Sequence, residues 1–208
     1  MVEYILNLIS EKSGALNVLT YLSSRTISST LTGLLIVLLF GDKFIQIIKK
    51  FQFNQNFDGR APESHKKKDG TPTMGGILII GSVVLSGLIW GDLSNKYLLL
   101  GLACLVGFAI IGFIDDYKKI FSLDSTGLSS TTKIFYQAMV ALVVSVILFA
   151  SSTSPQELEY IVPFFKNISI ELGVGFVFLS VFILVGSSNA VNLTDGLDGL
   201  AILPVIII

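Results

Sequence analysis

The sequence predicts an all-α fold, a polytopic bundle of transmembrane helices, and three observations predict it. Of 208 residues, 52% are hydrophobic and 14% charged, where an average soluble domain is about 25% charged. The mean hydropathy is +0.78. The apolar residues come in blocks rather than stripes, and a helix that crosses a bilayer needs a block of roughly 20. The net charge of −1 says nothing by itself, because the charges are segregated along the chain.

Taken in order, residues 1–22 hold a short apolar patch, 4–9, suited to lying flat at the membrane interface. The start, Met1-Val2-Glu3-Tyr4, lacks the basic residues of a signal peptide, so the first span is expected to act as the insertion signal. Five spans follow, at 27–48, 74–90, 97–114, 134–150 and 172–187. Asp42 and Lys43 interrupt the first, giving it a short core and an amphipathic tail. A sixth span opens at Leu200 and runs to Ile208 with no basic stop after it, so a natural protein extending further is expected. Residues 1–208 read as one integral membrane domain, without a soluble domain, repeat or low-complexity tract. Cys104 stands alone in an apolar run and reads as a small buried hydrophobe. Trp90 and Tyr97 flank a turn between spans and read as interfacial anchors.

Basic residues orient the bundle. Lys43, Lys49, Lys50, Arg60, Lys66, Lys67, Lys68, Lys118, Lys119 and Lys133 fall on one side. Only Lys12, Arg25, Lys96 and Lys166 fall on the other. The lysine-rich side is expected to be cytoplasmic, with active-site loops at 49–73, 115–133 and 187–199.

Three polar clusters map to that side. The first runs from His65 through Lys66, Lys67 and Lys68 to Thr71-Pro72-Thr73-Met74-Gly75-Gly76. Lysines and a helix N-terminus both attract phosphate; Thr73 is suited to cap the helix that follows, and Pro72 to stand near its start. An ordinary basic loop facing lipid headgroups explains the lysines equally well. His65 is the sole histidine, and a lone loop histidine is usually uncommitted.

The second cluster is Asp115-Asp116, directly after the apolar run 98–114. Carboxylates at the edge of a membrane span are functional candidates by default. Adjacent helix positions point about 100° apart, so one carboxylate can hold a metal or substrate while the other handles a proton. The plain alternative is a solvated helix end, but acidic residues there oppose the helix dipole, a conflict that Lys118 and Lys119 ease.

In the third cluster Asn189, Asn192, Asp195 and Asp198 recur at every third position, with Gly196 and Gly199 allowing close approach. Such amides and carboxylates suit the edge of a base, a sugar or a cation; a polar re-entrant loop is the plain alternative. The segment lacks the spacing and closing Glu of an EF-hand loop, and the sequons at Asn167 and Asn192 are short enough to occur by chance.

Together these segments resemble the phospho-N-acetylmuramoyl-pentapeptide-transferases, membrane enzymes of peptidoglycan synthesis. The pieces that carry the resemblance are Glu63-Ser64-His65 with residues 68–76, then 112–118, the outer-loop Val162-Pro163-Phe164-Phe165-Lys166, and 189–201, which reads Asn-Ala-Val-Asn-Leu-Thr-Asp-Gly-Leu-Asp-Gly-Leu-Ala. They are in order and cover most of the chain from about residue 43.

The resemblance implies transfer of phospho-N-acetylmuramoyl-pentapeptide from UDP-MurNAc-pentapeptide to undecaprenyl phosphate, with Mg2+ as cofactor and lipid I and UMP as products. It implies a multi-pass protein of the bacterial inner membrane with a cytoplasmic active site, and a homodimer; no nucleic-acid partner is expected. Asp115 and Asp116 match the family's catalytic acidic pair, and with Asp198 the expected metal ligands. Lys68, Thr73, Lys133, Asn192, Asp195, Gly196, Leu197 and Asp198 match positions that bind the nucleotide-sugar. The family has about ten spans, with a further aspartate and a histidine-rich loop downstream. A polypeptide ending at Ile208 is therefore expected to be inactive alone, and the function belongs to the full-length protein.

Three other functions compete. A related transferase would use UDP-N-acetylglucosamine, but Thr71-Pro72-Thr73-Met74-Gly75-Gly76 and Pro163-Phe164-Phe165-Lys166 favour the muramoyl-pentapeptide donor. A cation-coupled transporter would place its carboxylates near the bilayer midplane, whereas here they map to one face. A non-catalytic scaffold would tolerate Asp115→Asn or Asp198→Asn without loss of turnover.

Overall fold

The computed structural model describes residues 14–50, 74–121, 127–162, 164–165 and 168–194. Five α-helices dominate: α1 (Leu22–Lys50), α2 (Gly76–Trp90), α3 (Lys96–Phe121), α4 (Ser130–Ala150) and α5 (Gly175–Thr194). All but α2 are long and apolar enough to cross a membrane, so the chain is an all-α, polytopic membrane protein. It divides into two compact units, residues 1–129 and 130–208.

The first unit holds a 3-10 helix (Gly14–Thr20) and α1 to α3. Helix α1 runs without a break through Asp42 and Lys43, and Lys49 and Lys50 in its last turn complement the helix dipole. It packs on α2 through small residues. A Cβ placed on Gly33 would lie 3.6 Å from Ser86 Oγ, so the two backbones approach closely. Ser82 and Ser86 are buried, and each hydroxyl donates to a carbonyl of its own helix, Ile79 at 2.7 Å and Val83 at 3.0 Å. At the C-terminal end of α2, Arg25 Nε donates to the Trp90 carbonyl and Trp90 Nε1 donates to Thr32 Oγ1, both at 2.9 Å. Trp90, expected as an interfacial anchor, thus also ties two helices together.

Helix α2 is shorter than the span expected at 74–90. It opens at Gly76 with Gly75 in the capping position and no side-chain cap. Thr73, the expected cap, lies outside the described residues. The turn into α3 is held by Asp92, whose Oδ1 accepts from the Ser94 amide (2.9 Å) and hydroxyl (2.5 Å). The Ser94 hydroxyl first, then its amide, hold this carboxyl below the ordinary carboxylate range.

The second unit pairs α4 with α5. Between them lie a 3-10 turn (Pro155–Leu158) and an antiparallel pair of strands, β1 (Glu159–Ile161) and β2 (Ser169–Glu171), in register Glu159↔Glu171, Tyr160↔Ile170 and Ile161↔Ser169. The loop expected on the outer side therefore carries a small hairpin. On α4 the buried residues are Gln137, Ala141 and Ser145, one per turn along a single face.

Both units are built inside out relative to a water-soluble bundle. Leu38, Leu39, Phe178 and Phe182 are each at least 66% exposed, while Ser82, Ser86, Gln137 and Ser145 are buried. Helices in lipid pack through small and polar residues and turn their large apolar side chains outward.

Two helices overrun their apolar blocks. Helix α3 continues seven residues past Ile114, and α5 continues past Ser187 to Thr194. The ends of the stretches expected as loops at 49–73, 115–133 and 187–199 are helical, at 49–50, 115–121, 130–133 and 187–194.

Candidate active site

The site begins where the apolar face of α3 gives way to Asp115-Asp116-Tyr117-Lys118-Lys119. The helix continues through them, favoured by Lys118 and Lys119 in the last turn where the dipole welcomes them. The two aspartates therefore lie within the helix, not at its end. Their side chains diverge as adjacent helical positions must. Asp115 is buried at 6% exposure, while the side chain of Asp116 stays 40% exposed.

Lys119 stands four residues after Asp115 and three after Asp116, on the same face of the helix. Its Nζ lies 2.8 Å from Asp115 Oδ2 and 3.5 Å from Asp116 Oδ1. The second oxygen of Asp115, Oδ1, accepts the Leu128 amide at 2.8 Å. That amide is presented by a turn in which Gly127 adopts φ +69°. A Cβ on Gly127 would meet Asp115 Oδ1 at 2.6 Å and Lys119 Cε at 2.9 Å. Glycine is needed there twice over, for the left-handed backbone and for the space.

The two carboxylates thus do different work. Both oxygens of Asp115 are engaged, one by an ammonium and one by a backbone amide, so Asp115 holds the turn and fixes Lys119. Asp116 shares Lys119 only at 3.5 Å and faces outward. Two carboxylates and one ammonium leave the cluster with one net negative charge, a setting for a hard divalent cation. No group of three His, Cys, Asp or Glu side chains converges among the described residues. Mg2+ commonly takes only one or two carboxylates and completes its shell with water and substrate phosphates, so the donor set fits that ion, with Asp116 the better placed of the pair.

In the second unit, Lys133 is half-buried in the first turn of α4, and Asn192 is exposed in the last turn of α5. Between these helices, Asn189 Nδ2 donates to Gln137 Oε1 at 2.7 Å and to the Val185 carbonyl at 2.8 Å, and Gln137 Nε2 donates to Ser188 Oγ at 3.3 Å. Of the remaining expected site residues, Lys68, Thr73, Asp195, Gly196, Leu197 and Asp198 lie outside the described residues.

A cavity of about 410 Å³ opens elsewhere in the first unit, among Leu22, Arg25, Thr26, Trp90, Asp92 and Leu98. From Leu98 to Asp115 the helix rises about 26 Å, so this cavity is at the other end of α3 from the acidic pair.

Residues 98–208 match the family model of glycosyl transferase family 4, and residues 68–80 match signature 1 of the phospho-N-acetylmuramoyl-pentapeptide-transferases. The chain belongs to glycosyl transferase family 4. The matched region carries Asp115, Asp116, Lys133 and Asn192, and the signature carries Lys68, Thr73 and the opening of α2. As a family 4 member with that signature, the protein is a polyprenyl-phosphate phosphosugar transferase, with a lipid-phosphate acceptor and a nucleotide-sugar donor. An acidic pair held where the apolar stretch of a membrane helix gives way to polar residues suits an enzyme of this family, whose two substrates come from lipid and from water.

Sequence reading found the acidic pair and its lysines. It missed the Leu128 amide, Gly127 and Gln137. Gln137 had a signal, since a lone amide inside an apolar run has to find a partner. Leu128 had none, because nothing in the local pattern marks an amide that bonds a carboxylate thirteen residues earlier.

Proposed function

We propose that the protein transfers phospho-N-acetylmuramoyl-pentapeptide from UDP-MurNAc-pentapeptide to undecaprenyl phosphate, forming lipid I and releasing UMP, at the cytoplasmic face of the bacterial plasma membrane. In the net exchange an oxygen of the lipid phosphate bonds to the phosphorus that bears the sugar. The bond from that phosphorus to the bridging oxygen of the diphosphate breaks, and UMP leaves with that oxygen. The muramoyl-pentapeptide signature over residues 68–80 carries the choice of donor. The lysine bias of the loops supports a cytoplasmic site.

Phosphoryl transfer depends on positioning and electrostatics more than on covalent help from the protein. Asp115 anchors the end of α3 and orients Lys119. Lys119 is the cation nearest both carboxylates among the described residues and reduces the repulsion that they present to an approaching phosphate. Asp116, partly exposed and less tightly paired, is the group to orient the lipid phosphate or take its proton; with the ion bound it would hold Mg2+ in place of the proton. When bound, Mg2+ neutralises charge on the diphosphate.

The test is a donor competition with the full-length protein in undecaprenyl-phosphate vesicles. Lipid I and UMP should form from UDP-MurNAc-pentapeptide. Exclusive use of UDP-N-acetylglucosamine would refute the choice of donor.

A further inference from the structure

The polar contact between α4 and α5 is unusual for its setting. Gln137 is 3% exposed, at the start of a stretch of α4 that from Ala138 to Ala150 is apolar apart from Ser145. Its Oε1 accepts from Asn189 and its Nε2 donates to Ser188, while Asn189 also donates to the Val185 carbonyl. Amides are expensive in hydrocarbon unless paired. A polar pair inside a helix interface also specifies one register, because a slip by one residue leaves its groups unmet. Ala141 and Ser145 continue the same face of α4 with small side chains, which allow close packing but discriminate weakly between registers. The Gln137 pair is therefore the register-setting contact.

Helical periodicity shows what that register aligns. Lys133 precedes Gln137 by four residues and Asn192 follows Asn189 by three, so each shares a face with its clamp residue. Helix α4 leads into the hairpin and α5 leads out of it, so the two run antiparallel. One turn back along α4 and one turn forward along α5 then lead to the same level. The register set by the clamp therefore puts the Lys133 and Asn192 positions at one level, about one helical turn beyond it.

We propose that Gln137 is a positioning residue: by gripping Asn189 and Ser188 it holds Lys133 and Asn192 level as a paired recognition element for the nucleotide-sugar donor. This rests on the proposed transfer reaction for the identity of the ligand, but not for the register itself. Lys133 meets phosphate charge and Asn192 meets a donor–acceptor edge; neither works if the helices slip.

Two measurements on the full-length protein test it. The first needs no turnover. In a Cys104→Ser background, Lys133→Cys and Asn192→Cys are bridged in native membranes with a short bis-maleimide. Cross-linking should be efficient with Gln137 present and fall at least fivefold on Gln137→Leu, or on Gln137→Met if the leucine variant does not accumulate. Undiminished cross-linking, or none in the parent, overturns the register claim. The second separates positioning from stability. Gln137→Leu should raise the KM for the nucleotide-sugar about tenfold, the scale of one buried hydrogen bond, and leave the KM for the lipid acceptor unchanged. The Gln137→Leu/Asn189→Leu double variant should be no worse than the poorer single one, since both remove one contact. Additive losses, or equal changes in both KM values, would overturn it. A parent that transfers no phosphosugar sinks the proposed function, while the cross-link still reports the register.

Discussion

Asp115 accepts the Leu128 amide at 2.8 Å while its other oxygen holds Lys119, also at 2.8 Å. One buried carboxylate thereby fixes both the turn after α3 and the cation beside Asp116. The neighbouring aspartate has no such structural duty.

The two aspartates should therefore fail differently. Asp116→Asn is expected to lower kcat about 10²-fold or more, the scale of losing one electrostatic group in an active site, with little change in melting temperature. Asp115→Asn should lower activity and also destabilise the protein by about 1.5–3 kcal/mol, the worth of a hydrogen bond to a charged group. Paired thermal melts and turnover assays on both variants in detergent would read the contrast. Equal melting temperatures would refute the anchoring role of Asp115.

Gly127→Ala should be damaging out of proportion to its size. The left-handed backbone costs roughly 1–2 kcal/mol for any residue with a Cβ, and the added methyl would push on Asp115 Oδ1 and Lys119 together. Turnover should fall along with stability. A variant that melts and turns over like the parent would show that the turn is not built as described.

Trp90→Phe is a control remote from the acidic pair. It removes the indole N–H bond to Thr32 Oγ1 and should cost about 0.5–1.5 kcal/mol. Neither KM value should move. A selective rise in either one would mean that this end of the bundle contributes to substrate binding.

Chelation tests the metal. Treatment with EDTA should abolish turnover, and Mg2+ should restore it, while Asp116→Asn should need more Mg2+ for half-maximal activity than Asp115→Asn. Full activity after exhaustive chelation would remove the ion from the proposed reaction.

The fold was legible because lipid writes a coarse code: an apolar block of sufficient length is a helix, and the blocks after Ile27, Tyr97, Ile134 and Leu172 all became one. Their limits were less legible. Apolarity reports where hydrocarbon ends, not where hydrogen bonding ends, so α3 runs on through Asp115 to Phe121 and α5 through Asn189 to Thr194. The acidic pair announced itself by position. The difference between its members did not, because Asp115 is covered by Gly127 and Leu128, which lie beyond the end of α3 in sequence. Lys119 was visible as a compensating charge, whereas Gln137 needed a partner on another helix before its role could be read.

The shortness of α2 has its own consequence. Fifteen residues rise about 22 Å, some 8 Å less than a typical hydrocarbon slab. Lipid beside this helix has to thin, or flanking side chains have to reach for the headgroups. The rim of that pinch lies against the residues of the matched signature.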